Sequence, residues 1–316
     1  MPGLNILVLN KLAARHIAAI NNAAPDSTVL VSDLLHAADH IADCDILVAW
    51  GWMNICSLLP AAAKLKWIHA LSAGVENLLS PELQSMSTIL TNSKGIHGIP
   101  VSEHVLALML AFTRGLNFFI RHQEEKNWQR SPVDEIHDKT IGIVGLGSIG
   151  REFAKKAKGL GMNVVATKRK MTTELFVDQL YSPDQLNEML AVCDFVVVAL
   201  PLLPETREMF KFEQFTAMKP TAYFINISRG AVVREADLET ALSQGLIKGA
   251  GLDVFEHEPL AESSPLWDMP NVIITPHIAA LSPLYLDRAI KLFTDNLTHF
   301  IKKEEMLTLI DKEKGY

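Results

Sequence analysis

The stretch Ile141-Gly142-Ile143-Val144-Gly145-Leu146-Gly147-Ser148-Ile149-Gly150, followed by a helix-compatible run over 151–159, decides the fold. A glycine triplet of this spacing is weak alone. Here an apolar strand precedes it and a helix follows, which is the context the motif requires. Gly145 permits a tight turn, Gly147 lets backbone approach a pyrophosphate, and Gly150 lets the helix pack close to the sheet. With Ser148 and Ile149 they form a helix start whose N–H groups and positive dipole end suit an anion. The bland alternative is a glycine-rich turn that binds nothing.

Outward from this loop the chain reads as alternating strands and helices. Apolar runs at 163–167, 194–199, 222–226, 249–253 and 272–275 follow the first strand at 141–144. Their near-continuous apolar character is that of strands buried on both faces. Upstream, 4–9, 29–31, 46–49, 67–70 and 88–90 form an earlier series of the same kind. A helix is expected over 101–121, starting at Pro100 or Ser102, and another from 283 to about 300. The fold class is α/β with two doubly wound parallel sheets.

Composition bounds the function. The chain has 316 residues, which at roughly 150 per domain suggests two domains. A net charge of −7 argues against a broad nucleic-acid surface, which needs clustered cations. Three cysteines (Cys44, Cys56 and Cys193), none spaced as CxxC, suit a reducing compartment without a disulfide framework. Residues 1–10 read as a first strand rather than a signal peptide, and no apolar run is long enough to span a membrane. A cytoplasmic chain with no nucleic-acid or membrane partner is expected.

The end of the second strand of the glycine-loop unit bears on cofactor choice. NAD sites usually place an acid there, about 20 residues after the loop. This chain has Thr167-Lys168-Arg169-Lys170. A carboxylate would repel a 2′-phosphate and cations would attract it, so NADP(H) is preferred over NAD(H), with Lys168 and Arg169 as contacts. A solvated basic loop is the alternative.

Three further segments place ionisable residues at strand ends: Asn226-Ile227-Ser228-Arg229-Gly230, Asp253-Val254-Phe255-Glu256-His257-Glu258-Pro259, and Thr275-Pro276-His277-Ile278. In open α/β sheets ligands bind at such ends. With Leu200-Pro201-Leu202-Leu203-Pro204-Glu205-Thr206 and Ser228-Arg229-Gly230-Ala231-Val232-Val233, they give an ordered set densest over 139–280. On these motifs the chain resembles the D-2-hydroxyacid dehydrogenase family, relatives of glyoxylate/hydroxypyruvate reductase and phosphoglycerate dehydrogenase.

The resemblance implies hydride transfer between NADP(H) or NAD(H) and a small 2-oxo or 2-hydroxy acid, D-specific, catalysed by Arg229, Glu258 and His277. The chemistry suits them. Arg229 offers a planar fork of donors to a carboxylate or carbonyl. An imidazole, with an ordinary pKa near ~6.5, can give a proton to the carbonyl oxygen and take it back. Glu258 would favour the imidazolium and orient the ring; Glu256 is the competing carboxylate, and the position directly before Pro259 favours Glu258. Pro201, Thr206, Ile227, Ser228, Asp253 and Ala279 are further cofactor contacts by resemblance, Asp253 on the nicotinamide side. Ala73 and Gly74, in Leu71-Ser72-Ala73-Gly74-Val75, would hold the substrate carboxylate through backbone N–H groups, with Arg229. Trp52 and His97 are weaker candidates for the pocket wall.

The resemblance also implies a discontinuous, flavodoxin-like substrate domain, 1–100 plus 283–316, a Rossmann nucleotide-binding domain, 101–282, and a homodimer. Residues 109–119 are read as core or subunit contact rather than a cofactor box. His36 and His40, four apart, could share a helix face, but no other ligand pattern accompanies them, so no metal is expected. Two departures stand out. The ribose-binding acid is missing, and Ile278-Ala279-Ala280-Leu281-Ser282 stands where Gly together with small and hydroxyl residues is usual. A cofactor-sensing binding module of the same fold is the rival function. Formate oxidation is a weaker one, because that branch is expected to carry Gln where Glu258 stands.

Overall fold

Side-chain alternation organises both sheets. Strand residues face opposite sides in turn, and here each side finds its own apolar layer. The computed structural model describes residues 3–75 and 77–313. Met1 and Pro2, at the head of the stretch read as the first strand, lie outside the described residues.

The chain divides into two compact units, Met1–Ile96 with Ser282–Tyr316, and His97–Leu281. In the first unit β1 (Asn5–Val8), α1 (Ala14–Ala23), β2 (Thr28–Val31), β3 (Ile46–Ala49), β4 (Trp67–Ala70), α2 (Pro81–Ser85) and β5 (Ile89–Asn92) follow one another. They build a parallel sheet of order β2-β1-β3-β4-β5, the flavodoxin-like order. Leu7, Leu47 and Ile68 belong to one apolar cluster, and Ile6, Ile46 and Trp67 to the other. Ser80 caps α2, its hydroxyl accepting from Leu83 N–H at 3.3 Å.

The second unit opens with α3 (Gly98–Thr113) and α4 (Leu116–Glu124), then β6 (Thr140–Val144), α5 (Ser148–Gly159), β7 (Asn163–Thr167) and β8 (Gln179–Tyr181). It continues with α6 (Leu186–Val192), β9 (Phe195–Val198), α7 (Phe212–Ala217), β10 (Tyr223–Asn226), α8 (Glu235–Ser243), β11 (Gly249–Leu252) and β12 (Val272–Ile274). The parallel order is β12-β11-β10-β9-β6-β7-β8. Val196 and Val198 enter one cluster while Phe195 and Val197 enter the other. Fully burying such a side chain is worth roughly 1.5–3 kcal/mol. The chain returns to the first unit through α9 (Tyr285–Lys302).

Strand order fixes where ligands can bind. From β6 the chain runs first to β7 on one side, then later to β9 on the other. The crevice at this reversal is flanked by the loops after β6 and β9.

Three local expectations are corrected. The single helix over 101–121 is two helices bent by 69°. Gly115 takes the left-handed conformation (φ 64°) and ends the first. That first helix starts at Gly98, before Pro100 and Ser102. Pro100 falls in the opening turn, where its missing N–H costs nothing. His36 and His40 share no helix; the segment makes two 3₁₀ turns, Ala37–Asp39 and Ile41–Asp43. His36 folds back on Asp33 at 2.8 Å. Among the described residues no single helix is long and apolar enough to cross a membrane.

Candidate active site

The glycine loop joins β6 to α5. Gly145 has φ 100°, and a Cβ there would lie 2.7 Å from the Ala199 carbonyl, so a side chain would be both strained and crowded. Gly150 tucks against the Gly145 carbonyl. Space beyond Gly147 is open, with nothing within 4 Å of where its Cβ would stand. No side chain caps α5, so the first-turn N–H groups, those of Ser148 and Ile149 included, keep their capacity for an anion. An uncapped helix start beside a bare glycine fits a dinucleotide pyrophosphate.

Gly145 N–H donates to Thr167 Oγ1 at 3.2 Å. That bond ties the glycine loop to the end of β7, where Lys168 follows. Lys168 is mostly buried and donates to Glu174 and Thr172. Arg169 is exposed and lies 3.6 Å from Glu205. Thus both predicted cations stand where β7 ends, but each has a carboxylate partner.

Arg229, Glu258 and His277 line one hollow of about 230 Å³ with Leu202, Gly230, Ala231, Phe255 and Glu256. Each arrives from the end of a different strand of one sheet. After β10, Asn226 Oδ1 accepts from both the N–H and the hydroxyl of Ser228, at 3.1 and 2.7 Å. This buried clamp shapes the turn that delivers Arg229. Arg229 Nη1 donates to the Ser228 carbonyl at 2.8 Å. The next residue must be glycine, because a Cβ on Gly230 would fall 1.8 Å from the Phe255 carbonyl carbon.

After β11, Glu258 Oε1 accepts from Phe255 N–H at 3.1 Å. Its Oε2 lies 2.7 Å from His277 Nδ1. A carboxylate only accepts, so Nδ1 carries the hydrogen and Nε2 is the ring nitrogen left outside the pair. His277 side-chain exposure is 49%, so the ring is open to a ligand. Glu256 accepts from Glu235 N–H instead, at 3.2 Å.

His277 sits at φ 53°, a left-handed conformation its surroundings must hold. Asp253 does so. Its Oδ1 accepts from the Thr275 hydroxyl at 2.6 Å and from Ile278 N–H at 2.9 Å, and its Oδ2 from Ala279 N–H at 2.9 Å. His104 Nε2 joins Thr275 Oγ1 at 3.0 Å. Asp253 and Ala279, read separately from the sequence, are therefore partners. Thr206 is likewise an internal brace, donating to the Pro201 carbonyl at 2.7 Å and accepting from Leu203 N–H at 2.8 Å. Ile227 and Ser228 are buried.

His97, just before α3, is buried. Burial pushes its imidazole down to about 4, and the Arg229 charge adds to the shift. Trp52 is exposed in the first unit and stacks on Trp50 at 6.4 Å.

The loop after β4 belongs to the first unit. Ser72 Oγ accepts from Gly51 N–H and donates to the Gly74 carbonyl, both at 2.8 Å. Asn92 Nδ2 donates to the Ala73 carbonyl. The loop's acceptors are thus satisfied internally. Among the described residues the Ala73 and Gly74 N–H groups have no protein acceptor, which is the polarity a carboxylate ligand needs.

The sequence reading did not single out Arg151 or Glu174, and it quoted Asn226 and Thr275 within their motifs without giving them a role. Arg151 follows the glycine loop directly and could have been singled out. Glu174 lies in an irregular segment with no periodicity to flag it.

Residues 106–279 match the family model described as D-isomer specific 2-hydroxyacid dehydrogenase, NAD binding domain. A glyoxylate reductase of Korarchaeum cryptofilum is 32% identical over 304 residues, 93% of this chain and 88% of its own. A D-isomer specific 2-hydroxyacid dehydrogenase family protein of Aeromonas salmonicida is 36% identical, with TM-score 0.89, over 98% of this chain and 99% of its own. An NADPH-dependent glyoxylate/hydroxypyruvate reductase of Sinorhizobium meliloti, solved with NADP and sulfate, is 30% identical, with TM-score 0.84, over 99% and 100%.

Proposed function

Because this chain belongs to the D-isomer specific 2-hydroxyacid dehydrogenase family, we propose that it reduces a small 2-oxo acid to the D-2-hydroxy acid, with NADPH preferred over NADH. The observation that carries the reading is the 2.7 Å His277–Glu258 pair opening onto the hollow that Arg229 also lines.

The nicotinamide, when bound, supplies the hydride. Arg229 pairs the substrate's carboxylate or polarised carbonyl through its fork of N–H groups. As the carbonyl oxygen gains charge, His277 gives it the Nε2 proton, and Glu258 stabilises and orients the imidazolium through Nδ1. In the oxidative direction neutral Nε2 takes the hydroxyl proton. By the family resemblance, the Ala73 and Gly74 N–H groups of the first unit are a further donor pair suited to a carboxylate. Asp253 holds the Thr275 hydroxyl before His277 and the Ile278 and Ala279 N–H groups after it.

The NADPH preference rests on the absence of an acid at the end of β7 and on Lys168 and Arg169 there. The glyoxylate/hydroxypyruvate reductase of Sinorhizobium meliloti, described as NADPH-dependent, is in line with it. A Lys168→Ala, Arg169→Ala double variant should lose at least about tenfold in kcat/KM ratio for NADPH over NADH, one charge-assisted bond being worth roughly 1.5–3 kcal/mol. An unchanged ratio sinks the assignment. Glyoxylate, hydroxypyruvate and pyruvate are the first substrates to assay, with chiral chromatography of the product and light scattering for a homodimer. NADPH binding without turnover on any 2-oxo acid would favour a cofactor sensor.

A further inference from the structure

Three charged groups meet where the end of β7 faces the first turn of α5. Arg151 donates through Nε and Nη2 to both oxygens of Glu174, at 2.8 and 2.7 Å. Lys168 Nζ donates to Glu174 Oε1 and to Thr172. The Lys168 and Glu174 side chains are 16% and 11% exposed, so neither is a solvated surface charge. The carboxylate thus spans two cations that the Thr167–Gly145 bond keeps beside the glycine loop. Leu175 and Phe176, which follow Glu174, are exposed. The segment is therefore anchored by Glu174 rather than by apolar packing at those positions.

Two cations a carboxylate's width apart would also fit a phosphate. Resting on the NADPH reading above, we propose that Glu174 is a resident anion of the 2′-phosphate subsite: it holds Lys168 and Arg151 in the free protein and yields them when the cofactor's 2′-phosphate binds. Arg151 and Lys168 keep the Glu174 carboxyl down at about 2, so it stays ionised and competes throughout the working pH range. Glu174 then sets cofactor preference from the protein's side. A ligand whose competent site is mostly occupied by an internal group binds more weakly by the competent fraction. Removing the carboxylate should tighten 2′-phosphorylated ligands and leave others unmoved.

Calorimetric titration of the full chain with adenosine 2′,5′-bisphosphate and with AMP tests this. Glu174→Gln should bind the bisphosphate about tenfold more tightly than wild type, with AMP affinity unchanged. AMP is the control for a fold-level effect, since a disordered loop would move both ligands. Lys168→Ala should lose the bisphosphate preference. Unchanged or weaker bisphosphate binding by Glu174→Gln, with Lys168→Ala still losing preference, overturns the competitor role and leaves the NADPH reading standing. Equal binding of the two ligands by wild type, unaltered in Lys168→Ala, overturns the NADPH reading and this inference with it.

Discussion

His69 in the first unit and His277 in the second are the same side chain in opposite settings. His69 is fully buried on β4. Thr91 Oγ1 accepts from Trp67 Nε1 at 2.8 Å, so its single hydrogen is free to donate to His69 Nδ1, also at 2.8 Å. His69 then carries its hydrogen on Nε2, toward Ser93 Oγ at 3.2 Å, and Ser93 donates to the Ala70 carbonyl at 3.0 Å. Every donor and acceptor in that chain is matched, with no room for a second proton. His277 has one carboxylate partner and an open side. On the proposed reading, charge near the ring and access to it, more than residue type, separate a proton carrier from a neutral brace.

The comparison is broken most forcefully at His277. His277→Ala should lower kcat by about 10²–10⁴, the usual contribution of a general acid–base group, with an unaltered circular dichroism spectrum. A loss below about tenfold would make the residue structural, as His69 is. The next effect is smaller. Glu258→Gln keeps the shape of the pair but removes the charge that balances the imidazolium. A fall of about 10² in kcat, with KM little changed, is expected if Glu258 acts on the transition state. A rise in KM at constant kcat would assign Glu258 to substrate binding instead.

Much of this arrangement was legible in the chain, unevenly. Strands buried on both faces announce themselves as apolar runs, and 46–49, 67–70 and 163–167 coincide with β3, β4 and β7. The edge strand β8 was missed because three residues against one neighbour carry little pattern. The break at Gly115 was missed because apolar periodicity runs through it, and only the glycine hinted at the turn. At the candidate site, the family resemblance pointed to Arg229, Glu258 and His277, and the structure brings them to one hollow. What holds them did not show. Asp253 reaches Thr275, Ile278 and Ala279 across 22 to 26 residues, a contact that β11 and β12 create by pairing. Glu174 is hidden for the same reason, since folding alone places it between Arg151 and Lys168.

The smallest effect expected concerns stability at His69. Burial pushes its imidazole down to about 3, against about 6.5 for an ordinary histidine. Between these values the unfolded chain binds more protons than the folded one, so acidification favours unfolding. The neutral ring's contribution is whole above about pH 6.5 and is lost as pH falls toward 3. From pH 7 to pH 5 the loss is about 2 kcal/mol. His69→Gln keeps a polar side chain without the titration. Its urea unfolding should therefore lose about 2 kcal/mol less than wild type over that interval, other groups cancelling in the difference. The variant's kcat at pH 7 should stay within about twofold, because a matched, neutral network has no proton to give. Parallel pH dependence in variant and wild type would mean that His69 is protonated in the folded chain, and the contrast with His277 would then be one of degree.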